Sequence, residues 1–379
     1  MQKRLTFVFL FFVFCLSLSA QNVRISRDHT HLKEGAGSYY NTLLVLRSGA
    51  EVRKIAVSSD DAGWIEISYQ NRRGFIPAMA VSEAGGFNYG SMFNENNNVT
   101  QMSISPTAYT AAIKGFLVEY TQRSNITVDI DRLYQITEFR PMDFFSVMNE
   151  TRLSYFPRQG ELLGDPASVH SQRLEAVGMA VSLSVLKNGV VYDVEMTKRL
   201  NIIANILNRQ TVNYDRRVYV WILNDPQPIA FAGPGGYIFV SSGLLRVLTD
   251  YREIVAVLAH EMGHIALRHG MKTISMETAT NNAQNQFDEL DSTGIYTEAE
   301  LALSQELDQI IRQAQDACAL VRADSDEFEA DAAAMELLRR YRIPNTFLKS
   351  ALNKVFSSLS PALNQQYKSQ VDRRVRRIN

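Results

Sequence analysis

An α+β chain is predicted, with a small all-β unit at the N-terminal end followed by a mainly helical unit that holds a small β-sheet. Three observations predict it. From Gln21 to about Ser82, short β-prone runs alternate with turns. After Pro106, apolar residues recur at helical spacing. Between Arg217 and Ser241, two β-rich runs interrupt the helical pattern. The 379 residues are 46% hydrophobic and 21% charged, with 39 basic against 40 acidic side chains. That balance is that of folded protein of two or three domains, and it excludes disorder, collagen-like repeats and a strongly basic nucleic-acid binder. Two cysteines, Cys15 and Cys318, are too few for a disulfide scaffold.

Lys3 and Arg4 precede an apolar run from Phe7 to Leu16, and Ser17, Ser19 and Ala20 follow. Ten apolar residues are too short for a bilayer, which needs about 20, so residues 1–20 read as a secretory signal peptide, with a retained anchor as the alternative. Cleavage after Ala20 and cleavage after Ser19 both stay open. Losing Lys3 and Arg4 takes the net charge from −1 to −3. Cys318 is then left without an internal partner and reads as a small buried hydrophobe. No later stretch is apolar enough for a membrane anchor.

In the β unit, Val52–Val57 and Trp64–Tyr69 are expected strands, separated by a turn at Asp60–Gly63; a further turn at Asn71–Gly74 leads into Phe75-Ile76-Pro77. The segments Leu32–Tyr40, Leu46–Gly49, the Trp64 strand and Gly74–Pro77 resemble the bacterial SH3-like domains, with Ala36 where that family usually has proline. The resemblance covers about sixty residues and implies a small barrel over 21–83. It also implies binding of cell-wall peptides or proline-containing segments, for which Tyr39, Tyr40 and Trp64 are the available aromatics. The alternative is that these rings fill a small core. Residues 84–106, with Gly85-Gly86 and Asn94–Asn98, read as a connector.

The helical unit, 107–379, carries expected helices over Ala108–Arg123 and Met196–Arg209, strands at Val218–Leu223 and Tyr237–Val240, and helices from Gly243 onward. Met271 to Thr293 is polar and rich in Asn and Gln. Three of the six histidines fall within ten residues, at 260, 264 and 269.

His260-Glu261-Met262-Gly263-His264 lies in a helix expected from Asp250 to Gly270, with Glu253 placed to complete a capping box. Residues four apart share a helix face, so His260 and His264 can bind one metal. Zinc suits two imidazole nitrogens and a carboxylate with a fourth position for water, and Glu261 is placed to act on that water as general base. The alternative, a pair of core histidines, carries a large desolvation cost. His269 lies five residues past His264, about 140° around a continuous helix, and is therefore expected off the ligand face, as a structural residue or an outer partner. His29, His31 and His170 have no ligand-like spacing and read as surface or loop residues. Downstream, Glu327 and Asp331 are again four apart; Glu327 would bind the metal while Asp331 accepts the outer N–H of a ligand histidine. Glu329 is expected to point into solvent.

Together these residues resemble the HtpX/BepA-type zinc metallopeptidases, a gluzincin family. The match runs over 175–341, through Ala230–Val240 with Gly243-Leu244-Leu245, the His260 motif closing in Arg268-His269-Gly270, and Glu327–Asp331. The resemblance implies a zincin-like metalloprotease domain with one Zn2+ per chain. It makes His260, His264 and Glu327 the ligands, Glu261 the catalytic base, and Asp331 an outer partner. Ile229 replaces the family's usual Asn, and Ser360-Pro361 replaces its His-Pro. Arg374-Val375 is the counterpart of its Arg-Ile, which makes Arg374 the candidate transition-state contact. A solvated basic tail over residues 373–377 is the alternative.

The expectation is a zinc endopeptidase, periplasmic or extracellular, hydrolysing peptide bonds of polypeptide substrates in envelope protein quality control. Gly235, Gly236, Tyr237, Ile238 and Phe239 would form the sheet edge on which a substrate strand adds. The rival is a zinc-bound chaperone-like or cell-wall-binding adaptor with little turnover.

Overall fold

The structure is a computed structural model. It describes residues 21–82 except 28, 103–104, 128–151, 153, 161–164, 178, 182, 185–186, 189–269 except 234, and 323–378. The expected signal peptide, most of the connector, the Ala108–Arg123 helix, His170, the Met271–Thr293 segment and Cys318 lie outside the described residues.

The N-terminal unit is all-β. Its strands are β1 (Gln21–Ile25), β2 (Thr30–Lys33), β3 (Thr42–Leu46), β4 (Glu51–Val57), β5 (Trp64–Tyr69), β6 (Arg72–Pro77), β7 (Val81–Ser82) and β8 (Ser103–Ile104). They form an antiparallel sheet in the order β7-β1-β4-β5-β6-β2-β3-β8, and no described pairing joins its two ends. Residues 103 and 104, within the expected connector, pair with β3. The β5–β6 turn is tighter than the sequence suggests. Gln70 and Asn71 both have positive φ, 46° and 63°, the twist a two-residue hairpin needs, so Arg72–Gly74 already belong to β6. Alternation puts Val23, Ile25, Leu32, Leu46, Val52, Ile65, Ile67 and Ile76 into one core.

The second unit contains α1 (Ile130–Thr137), α2 (Pro141–Glu150), α3 (Val194–Asn208), β9 (Tyr219–Leu223), β10 (Ala230–Gly233), β11 (Tyr237–Ser241), α4 (Ser242–Val247), α5 (Tyr251–Ala266), α6 (Asp324–Arg340), α7 (Thr346–Ser357) and α8 (Pro361–Arg377). The sheet order is β10-β11-β9, with β11 antiparallel to β10 and parallel to β9. Successive side chains point to opposite faces. Val220, Ile222, Ile238 and Val240 therefore join the core with α3, α5 and α6. On the opposite face Trp221 stacks on Tyr237 (5.3 Å between centroids) and donates its indole N–H to the Leu133 carbonyl of α1 (3.2 Å).

An asparagine ladder closes the outer side of β9. Asn201 and Asn205 are fully buried on α3, four residues apart. Each donates to and accepts from one β9-side backbone position: Asn201 at Val220 (2.8 and 2.9 Å) and Asn205 at Val218 (2.8 and 3.1 Å). Asn208 continues the row with bonds to the Asn213 and Arg216 carbonyls. Buried backbone groups need partners, and here side-chain amides stand in for a further strand.

The two units meet in a buried seam. Trp64 packs edge-on against Tyr214 (5.9 Å), whose hydroxyl donates to the Gly63 carbonyl (2.8 Å). Asp61 pairs with Arg209 (3.4 Å), Asp215 with Arg27 (3.3 Å), and Tyr39 stacks on Phe144 (4.2 Å). Trp64 is 1% exposed and Tyr39 7%, so two of the three aromatics expected to face ligands are covered by the chain itself; Tyr40 is half-buried beside them. His29, expected at the surface or in a loop, lies in a turn but is buried, and its carbonyl accepts from Arg216 (3.2 Å).

Helices α5 and α6 pack closely because of Gly263. A Cβ at that position would lie 3.0 Å from the Ala330 carbonyl oxygen and 3.0 Å from the Ala333 Cβ. Asp250 caps α5 through the Arg252 N–H (2.9 Å), but Glu253 does not complete the expected box. Its buried carboxylate accepts from Ser350 (2.7 Å) and Lys354 (2.8 Å), which ties α7 to α5.

Two predictions follow from this packing. Gly263→Ala should cost about 1–3 kcal/mol through overpacking, read as a lower denaturant midpoint with an unchanged slope. Near the end of α6, hydrogen bonds from Arg339 and then Arg340 outweigh burial and hold the Glu336 carboxyl at about 2. A depressed carboxyl stabilises the fold above its unfolded value, 4.5, and loses that effect as pH falls through about 2. The stability gap between wild type and Glu336→Gln should therefore be widest above pH 4.5 and close toward pH 2; a constant gap would show that charge is not its source.

Candidate metal centre and active site

Helix α5 supplies His260, Glu261 and His264; α6 supplies Glu327 and Asp331; α8 supplies Arg374. All except Arg374 are less than a tenth exposed, and the Arg374 side chain is 11% exposed. The Nε2 atoms of His260 and His264 lie 3.1 Å apart and face the two Glu327 oxygens, His260 Nε2 at 3.5 Å from Oε2 and His264 Nε2 at 3.5 Å from Oε1, so the three residues converge as a triangle. Donors at 2.0–2.1 Å from a tetrahedral ion sit about 3.4 Å from one another, so this triangle fits zinc. Two imidazoles and one carboxylate also match the metal's ligand chemistry.

Each imidazole is also held from behind. His260 Nδ1 is 2.9 Å from an Asp331 oxygen, so Asp331 accepts its N–H and leaves Nε2 with a lone pair facing the triangle. His264 Nδ1 is 2.8 Å from His269 Nδ1. The helix expected to run to Gly270 ends at Ala266, and Arg268 adopts φ +60°, turning the chain back. His269 thus stays off the ligand triangle, as expected, although a chain reversal and not a helical angle decides it. Glu329 is exposed as expected, its side chain 53% accessible, and in addition one oxygen lies 3.1 Å from His269 Nε2.

Arg374 does not sit in a solvated tail. Its Nε and one Nη each donate to Asp331 (2.8 and 2.8 Å), and the other Nη pairs with Glu327 at 2.6 Å. Its neighbours divide: Arg373 pairs with Asp324, and Arg377 lies 3.7 Å over the Phe328 ring. The Ser360 hydroxyl, where the family's histidine is absent, caps α8 by accepting from the Leu363 N–H (3.4 Å).

The electrostatics follow from this crowding. Burial disfavours the charged form of Glu327, but hydrogen bonds from both histidines and the Arg374 charge hold its carboxyl far below the usual carboxylate range. Burial and Arg374 oppose an imidazolium at His260, yet hydrogen bonds to Asp331 and Glu327 outweigh them and raise it to about 9. Glu261 also acts on the Arg374 charge, which places this carboxylate within the same field.

The expected substrate edge needs correction. Gly235 and Gly236 precede β11, and Tyr237, Ile238 and Phe239 are its first three residues, paired with β10 on one side and β9 on the other. All three side chains are fully buried. The middle strand of a three-stranded sheet has no side left for an added peptide; among the described residues the outermost strands are β10, which packs beside α5, and β9. Sequence reasoning also missed the roles of Glu329 and of the asparagine ladder. Asn201, Asn205 and Asn208 recur on one helix face, a readable signal; Glu329 needed the turn at Arg268.

Comparison with known proteins finds relatives among the metallopeptidases. Residues 196–365 match the model of Peptidase family M48. Metalloprotease LoiP of Escherichia coli (strain K12) is 44% identical over 91 residues, 23% of this chain and 33% of that protein. The Beta-barrel assembly-enhancing protease of Yersinia pestis is 31% identical over 80 residues, 21% of this chain and 16% of that protein. Mitochondrial metalloendopeptidase OMA1 of Schizosaccharomyces pombe (strain 972 / ATCC 24843) is 38% identical over 60 residues, 16% of this chain and 18% of that protein. The chain spans a third or less of the length of the curated relatives it matches. Over residues 196–365, then, the chain is similar to Peptidase family M48, and the relatives it matches, two of them metallopeptidases by name, support a metalloendopeptidase.

Proposed function

We propose that this protein is an exported zinc endopeptidase of the bacterial envelope, with one zinc per chain held by His260, His264 and Glu327. The observation that carries the reading is the convergence of three buried residues, with the two Nε2 atoms 3.1 Å apart and each 3.5 Å from its own Glu327 oxygen, and with the outer nitrogen of each imidazole already hydrogen-bonded. Zinc, when bound, supplies a Lewis acid that polarises a peptide carbonyl and acidifies a water.

The chain's own residues supply the rest. Glu261, adjacent to the first ligand, takes the water proton and passes it to the leaving amine. Asp331 keeps His260 in the tautomer that presents Nε2. Arg374, wedged between Glu327 and Asp331, brings the guanidinium that meets charge developing on the substrate. Export is read from the residues 1–20, and no described helix is long and apolar enough to cross a membrane. We divide the chain into an SH3-like unit over 21–83, a connector over 84–106 and a peptidase unit over 107–379. Unfolded envelope polypeptides are the proposed substrates, in keeping with a quality-control role.

Casein or an unfolded envelope protein should be cleaved by the wild-type chain with zinc. Glu261→Gln should lose cleavage by at least about a hundredfold, the scale of a general base, while zinc stays bound. Equal behaviour of wild type and variant with both holding zinc would replace the enzyme by the adaptor reading. Glu327→Ala should lose stoichiometric zinc in elemental analysis; full occupancy would overturn the ligand set.

A further inference from the structure

The motif accounts for the ligands but not for what holds His264, and the described residues contain an arrangement that does. A neutral imidazole carries one proton. For His264 to present a lone pair at Nε2, 3.5 Å from Glu327 and 3.1 Å from His260 Nε2, its proton must sit on Nδ1. That N–H points at His269 Nδ1, 2.8 Å away. To accept there, His269 must carry its own proton on Nε2, and that N–H points at Glu329, 3.1 Å away. One arrangement of protons satisfies the three groups in series.

We propose that His269 and Glu329 form a relay that fixes the tautomer and ring orientation of His264. This inference rests on the metal site proposed above. His269 is a positioning residue and not a ligand: its Nδ1 is engaged with His264 and its Nε2 with Glu329. Backbone geometry supports the assignment independently. Arg268 is held at φ +60°, a left-handed conformation that non-glycine residues seldom adopt, and without it His269 would continue around the helix away from His264. His260 has the corresponding partner in Asp331, so both imidazoles are oriented from the side away from the triangle, one by a carboxylate directly and one by a carboxylate through a ring. The His269 side chain is fully buried, which isolates the relay from water until Glu329, where it reaches the surface.

The experiment is zinc affinity of the full chain, measured by competition with a chromogenic chelator, beside the visible spectrum of the Co2+-loaded protein. His269→Ala should weaken zinc binding about 10- to 100-fold, the usual effect of losing a partner behind a ligand. His269→Asn places an acceptor near the Nδ1 position and should recover most of the affinity. Glu329→Gln, which keeps an acceptor, should bind nearly as wild type, whereas Glu329→Ala should weaken binding. In the His269→Asn background, Glu329→Ala should add no further loss. Wild-type affinity and spectrum in a folded His269→Ala protein would overturn the relay while leaving the metal site intact. Equal losses in the Ala and Asn variants would assign His269 to packing alone. A second zinc equivalent at His269, Asp326 and Glu329, whose ligand atoms lie within 4.8 Å of one another, would overturn it as well, because Nε2 would then be a ligand. Failure of the underlying metal reading is distinguishable, since wild-type protein would then bind no stoichiometric zinc.

Discussion

The close approach of α5 and α6 at Gly263 is the constraint on which the site depends. It places three buried carboxylates, Glu261, Glu327 and Asp331, against the buried guanidinium of Arg374. With neutral imidazoles, this group carries two negative charges in excess. Such an excess is costly in a low-dielectric interior unless a cation or proton balances it. A divalent ion meets the need directly, and the elevated pKa of His260 expresses the same demand through a proton. The electrostatics and the donor geometry therefore point to the same occupant.

Around this pair of helices, the fold is arranged to keep their positions. Arg340, at the end of α6, donates to the Gln210 side chain (3.2 Å) and the Glu161 carbonyl (2.9 Å), and the Tyr341 hydroxyl donates to the Ile206 carbonyl at the end of α3. Glu253 holds α7 to the start of α5. The asparagine ladder of α3 satisfies the first part of β9 on the side away from β11, and the backbone of Val190 and Val191 pairs with Leu223 and Ile222 at its far end. Each contact uses a buried polar group with its partner in place, which specifies geometry more tightly than apolar packing alone.

The β unit is joined to the same framework. Residues Arg209 to Arg216, between α3 and β9, contact Asp61, Gly63 and His29 on one side, while Gln210 meets α6 on the other. The aromatics that resemble a ligand-binding face are used here. Trp64 and Tyr39 gain burial and ring contacts from the helical unit, which a solvent-exposed binding surface would leave unsatisfied.

Much of this was legible in the sequence because the informative signals are local. Alternation marked β5, β-rich runs marked β9 and β11, helical spacing marked α3, and a capping residue at Asp250 marked the start of α5. Four-residue spacing put His260 with His264 and Glu327 with Asp331 on single helix faces, since a helix repeats every 3.6 residues whatever surrounds it. What lay beyond it were relations between distant segments. Whether β11 is an edge or a centre depends on which strands flank it, and its β-rich run does not name them. Whether Arg374 faces solvent or Glu327 depends on how α8 crosses α6, because an arginine-rich helix end reads as surface until its partners are placed. Whether Glu329 is idle depends on a turn at Arg268 that brings His269 back across sixty residues of sequence separation. Local backbone geometry is written in neighbouring residues, so the chain alone determined many of its helices and strands and the pairs of side chains that share a helix face. The buried charge balance, the sheet's interior and the partners behind each histidine arise only when remote segments share one low-dielectric space, and the tertiary structure decided those.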